Sequence, residues 1–162
     1  MNKEIKDIEK IKNIIISENK TLIIAVNNKI NYPEIGYAPY IFLNKCFYIF
    51  SSELSPHIKH LLYNKKGTFM IIEDEYKAKN IWARVRLKFE AQIKIVARNE
   101  KNYNKICNQI QNSHGNTLEL IKQFNDFHLI KISPIKGSIV TGFGNAFILD
   151  SISLNVKNKI KP

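Results

Sequence analysis

From Ile81 to Ile95 every odd-numbered residue is apolar, in the series Ile81, Ala83, Val85, Leu87, Phe89, Ala91, Ile93 and Ile95. The even positions are mostly polar. A period of two is what a strand shows when one face packs on a core and the other meets solvent, so the segment predicts one long strand. Further β-rich runs lie at Thr21–Val26, Gly36–Leu43, Cys46–Ser51, Thr68–Glu73, Phe127–Ile132 and Ser138–Thr141. Asn27, Asn28, Asn31 and Asn44 supply turn chemistry between them, and Gly142–Asn145 predicts a turn before a last short strand. Strands at such short spacing fit a closed antiparallel barrel better than a parallel sheet. The expected fold class is mainly β (β plus α): a six-stranded antiparallel barrel with an N-terminal helix and two helical insertions.

The helices have their own signals. Ile5, Ile8, Ile11 and Ile15 recur at helical spacing, which predicts an amphipathic helix over about 3–17 packed on the barrel, its stripe serving the core or a dimer contact. Ser55 and Pro56 suit an N-cap and a first helical position, with Ile58, Leu61 and Leu62 turned inward. Residues 100–124 read as helix broken at Gly115. The organisation expected is an N-terminal helix over 1–18, a barrel domain over 19–150 and a basic, mobile tail over 151–162.

Composition narrows the function classes. With 44% apolar residues in 162, the chain can bury a core. Glu4, Asp7 and Glu9 interrupt the start, so no secretory signal is expected there, and no run approaches the ~18 apolar residues of a membrane span. A cytoplasmic protein with no membrane partner is expected. Cys46 and Cys107 lack metal-like spacing and read as reduced, ordinary thiols. The net charge of +11 is lysine scattered among Ile and Asn, which argues for a basic cleft attracting a small anion rather than for a nucleic-acid partner.

Trp82, Arg84, Arg86 and Lys88 occupy the even face of the long strand, with no acid among them until Glu90. Spaced about 7 Å apart, three cations can hold a phosphate or carboxylates, and an aromatic neighbour can stack on a flat ring. An ordinary solvated face is the bland alternative. His57 and His60 stand three apart on the short helix beside Lys59, without a third ligand at a metal-like distance, so a polar contact to an anion at that helix N-terminus is the better reading. Glu73, Asp74 and Glu75 read as a solvated turn. The G-x-G of Gly142-Phe143-Gly144 precedes no helix, which leaves dinucleotide binding weak, and His128 reads as a satisfied strand histidine.

Several short motifs in a shared order carry a resemblance. They are Gly36-Tyr37-Ala38-Pro39-Tyr40, Phe47-Tyr48-Ile49-Phe50 followed by Ser55–Leu61, and Ile72-Glu73-Asp74-Glu75. Ala83-Arg84-Val85-Arg86-Leu87, Asp126-Phe127-His128-Leu129 and Gly142-Phe143-Gly144-Asn145-Ala146-Phe147 complete the set. From about Thr21 to Phe147 the chain resembles the HugZ/HutZ-type haem-utilisation proteins among the pyridoxamine 5'-phosphate oxidase-like, FMN-binding split barrels.

The resemblance implies a homodimer with clefts along its interface that take haem or FMN. In the haem reading the protein promotes oxidative haem degradation with dioxygen and an external electron donor. Asp126 and Arg84 are then catalytic candidates, with Arg84 and Arg86 toward a propionate or dioxygen and Lys88 on the same strand. The family's haem-branch iron ligand, a histidine beyond the G-F-G-x-A motif, has no counterpart here, since none follows His128. This leaves His57 or His128 as candidate iron ligands. In the FMN-dependent oxidoreductase reading Arg86, Lys59 and Ser51 meet the phosphate, His57 stands in the place of one basic phosphate contact, and Trp82 lies near the ring. A third reading is a barrel that binds haem or another ligand without turnover.

Overall fold

A computed structural model describes residues 3–151 and 153–160. Among them α1 (Lys3–Glu18) leads into β1 (Thr21–Asn27), β2 (Pro33–Leu43) and β3 (Cys46–Ser52). Then come α2 (Pro56–Asn64), β4 (Lys66–Ile72), β5 (Arg86–Val96), α3 (Tyr103–His114), α4 (Thr117–Ile121), β6 (Phe127–Gly142), β7 (Asn145–Leu149) and β8 (Val156–Lys159). The sheet runs β3-β2-β1-β4-β5-β6-β7-β8, and a β3–β6 pairing closes the first six strands into a barrel with every pairing antiparallel. Closure leaves no open edge among those six.

Phe47, Phe69 and Phe89 stack through the barrel interior, with ring centroids 4.7 Å and 5.4 Å apart. α1 and α2 close opposite ends. Tyr40 donates its buried hydroxyl to the Ile16 carbonyl at 2.7 Å at the α1 end. Ile58 and Leu61 of α2 join the same core, as their spacing predicted. α3 and α4 cover a second apolar cluster outside the barrel, around Ile41, Tyr48, Phe50 and Leu129.

Two expectations are corrected. The long strand begins at Arg86, because Asn80 accepts from the Trp82 amide at 2.9 Å and winds Ile81–Ala83 into a 3-10 turn. The two runs at 127–132 and 138–141 are one strand. Pro134 is tolerated between them because the β3 pairing stops at Ile132 and the β7 pairing starts at Gly137, so its missing N–H disturbs no ladder on that side. Part of the segment expected as a tail is ordered among the described residues: Val156–Lys159 forms β8 against β7, while 152, 161 and 162 lie outside the described residues. Lys12, buried on α1, donates to the Leu154 carbonyl at 2.8 Å and pairs with Glu9, whose carboxylate accepts from the Val156 amide at 2.8 Å.

Candidate functional site

The barrel register sorts outer from inner side chains. Leu87, Phe89, Ala91 and Ile93 point inward, so Arg86, Lys88 and Glu90 point out. Across the sheet the outward row through Lys88 runs Tyr37, Ile23, Met70, Lys88, Ser138 and Ile148. The row through Arg86 holds Ile72, Val140 and Ala146. Ile35 and Tyr37 are 74% and 69% exposed. This is an apolar outer face with cations on its β5 side, and none of α1–α4 lies over it as α3 and α4 lie over the opposite one.

Arg84 is not beside Arg86 on that face. Its Nε and Nη2 both donate to the Glu73 carbonyl and its Nη1 meets the Glu75 carboxylate at 3.1 Å. Val85 donates its amide to the Glu73 carboxylate at 3.1 Å and accepts from the Glu73 amide at 2.8 Å. These bonds extend the β4–β5 pairing one step beyond its last rung, Ile72 with Arg86. Arg86 in turn donates from Nη1 to the Arg84 carbonyl at 3.3 Å. Trp82 is 83% exposed on the turn, and so is off the strand face.

A second cluster forms where β3 meets the start of β6. Ser51 stands opposite His128, Ser52 hydrogen-bonds the Asp126 carboxylate, and the Glu53 amide donates to the Asp126 carbonyl at 2.9 Å. His128 Nε2 lies 2.9 Å from the Glu53 carboxylate, which fixes the direction of the imidazole. Among the described residues no group of three His, Cys, Asp or Glu is placed to hold a metal ion. The His57 ring fills the space a Cβ would take on Gly36 of β2. Burial holds its pKa below the ordinary 6.5, opposed by the Glu34 carboxylate and a hydrogen bond with the Tyr37 backbone. Lys59 is exposed on α2.

The chain therefore brings Arg86 and Lys88 together on one face, and Ser51, Asp126 and His128 together elsewhere. Arg86 is opposite Val140 and Asp126 precedes Phe127, at the two ends of β6. At ~3.3 Å per residue that is on the order of 40 Å along the strand. Sequence reasoning missed Glu53, Ser52 and the apolar outer row. The row had a signal: Leu22–Val26 and Phe69–Ile72 are unbroken apolar runs, the pattern of strands covered on both faces.

No family model matches the chain. It is 32% identical over 130 residues to the heme oxygenase HutZ of Vibrio cholerae, spanning 80% of this chain and 74% of that protein. The chain belongs to the HutZ family. The crystal structure of Vibrio cholerae HutZ, described as a haem storage protein, matches this HutZ-type chain with a TM-score of 0.75 at 28% identity, covering 82% of this chain and 92% of that one. Campylobacter jejuni ChuZ matches with a TM-score of 0.83 at 26% identity over 97% of this chain and 66% of that one. A Clostridium acetobutylicum protein of the pyridoxinephosphate oxidase family shares the split-barrel fold, with a TM-score of 0.64 at 12% identity over 90% of this chain and 95% of that one. Among the described residues no helix is long and apolar enough to cross a membrane.

Proposed function

We propose that this chain is a cytoplasmic haem-utilisation protein that binds haem in a cleft between two copies of itself and promotes its oxidative opening. Dioxygen and an external electron donor are the co-reactants. The observation that carries the reading is the uncovered outer face, in which Ile23, Met70, Ile72 and Val140 offer apolar area for a flat macrocycle beside Arg86 and Lys88. Haem is planar and apolar with two carboxylates, and arginine's forked donors suit a carboxylate.

One copy cannot complete the site. Arg86 and Asp126 lie at opposite ends of β6, so a single ligand meets both only if a second copy lends its Asp126 end. Association through the exposed Ile35 and Tyr37 would bury the apolar face and bring the pieces together. None of the four histidines is on β1, β4 or β5, and His128 is the one that would travel with Asp126 into the cleft. The bound haem supplies the redox chemistry. The chain's residues hold it: Arg86 and Lys88 orient the carboxylates, the apolar row excludes water, and Asp126 with Ser52 sets the polarity of the far side.

The test is an absorbance titration of the purified protein with haem and, separately, with FMN. A saturable Soret band that shifts in His128→Ala and weakens in Arg86→Ala is the expected result. Flavin bands without a haem response would overturn it in favour of an FMN-dependent oxidoreductase, whose phosphate would use the same cations. Saturable haem binding with no product under dioxygen and reductant would reduce the function to haem binding alone.

A further inference from the structure

We infer that Arg84 is a positioning residue for Arg86: its guanidinium locks the β4–β5 connection so that its own backbone carbonyl holds the Arg86 side chain at the border of the apolar face. The inference rests on the haem reading for its consequence, though its geometry is independent of any ligand.

Arg84 is committed elsewhere. Its side chain is 19% exposed, and Nε, Nη1 and Nη2 all have partners on residues 73 and 75. It is thus poorly placed to meet a ligand, although it is charged and lies two residues from one that can. What it controls is the backbone. Residues 73–75 and 84–85 are joined by its three donors and by the two reciprocal bonds between Glu73 and Val85. The carbonyl that accepts from Arg86 Nη1 at 3.3 Å belongs to Arg84 itself. Arg86 is the first residue of β5, where the ladder with Ile72 ends and strands normally fray. Without the lock, that carbonyl and the Arg86 head group would sample many arrangements, and a flexible cation binds a carboxylate less tightly than a fixed one.

Charge alone does not make this lock. Two donors on one carbonyl and a third on a carboxylate need arginine's planar fork, which lysine lacks. Arg84→Lys keeps the net charge and loses the geometry, so it separates positioning from electrostatic attraction.

The experiment compares Arg84→Lys, Arg86→Lys and the double variant by haem titration and by the Nε–H resonance of Arg86 in ligand-free protein labelled on arginine nitrogen. Arg84→Lys should weaken haem binding about tenfold, the double variant should be no weaker than Arg86→Lys alone, and the Arg86 resonance should broaden or exchange faster in Arg84→Lys. Additive losses, or an Arg86 resonance unchanged in Arg84→Lys, would overturn the positioning role while leaving haem binding intact. Wild-type protein that fails to bind haem would overturn the functional reading, and the resonance comparison would still decide the role of Arg84. Should Arg84→Lys not fold, Glu75→Gln, which touches only the exposed arm of the lock, carries the same comparison.

Discussion

The contact between Gly36 and His57 sets the backbone-to-helix distance at one barrel end. A Cβ on Gly36 would fall 2.3 Å from the imidazole, so Gly36→Ala should lose about 2 kcal/mol in urea denaturation, and adding His57→Ala should recover most of it. The same ring makes stability depend on pH. Its folded pKa is depressed by burial, so the unfolded chain takes a proton near pH 6.5 that the folded one resists. Stability is full above that pH and declines as pH falls through it. Tm measured above and below pH 6.5 should show the decline in the wild type and a shallower one in His57→Gln. Sequence reasoning named His57 as an anion contact because α2 begins there, but its packing on Gly36 depends on a partner twenty-one positions away that no local pattern reveals.

At the scale of elements, α1 and β8 are coupled by Lys12, the one charged side chain fully buried among the described residues. Lys12→Met leaves Glu9 with less compensation and frees the Leu154 carbonyl, so a loss of about 3 kcal/mol is expected, with amides of 154–159 exchanging faster by hydrogen exchange. Periodicity made α1, α2 and the interior of β5 legible, because each repeats a burial pattern over several turns or rungs. It failed where a three-dimensional partner decides. The odd-position apolar series continues through Ile81, Ala83 and Val85, yet the Asn80 side chain takes the Trp82 amide and turns the chain. Nothing in the local sequence around Leu154 shows its carbonyl's partner, because Lys12 is 142 residues earlier.

For the whole molecule, the decisive property is that one outer face has a helical cover and the other does not. The motif order pointed to the barrel, its end helices and the cation strand. The split of the candidate site between the ends of β6 emerges only from the register. A charge on the exposed β2 side of the bare face should prevent association: Tyr37→Glu is expected to weaken it roughly a hundredfold, about 3 kcal/mol, seen as a lower mass in light scattering with an unchanged circular dichroism spectrum. Haem affinity should fall with it. The β3–β6 seam has a different kind of consequence. Phe47 pairs with Ile132, so during synthesis β3 leaves the ribosome as a bare edge and waits for most of the remaining chain before its partner exists. Truncated products ending before Phe127 would carry that unpaired hydrophobic edge permanently. Chaperone capture of nascent chains should therefore peak between the emergence of β3 and that of β6.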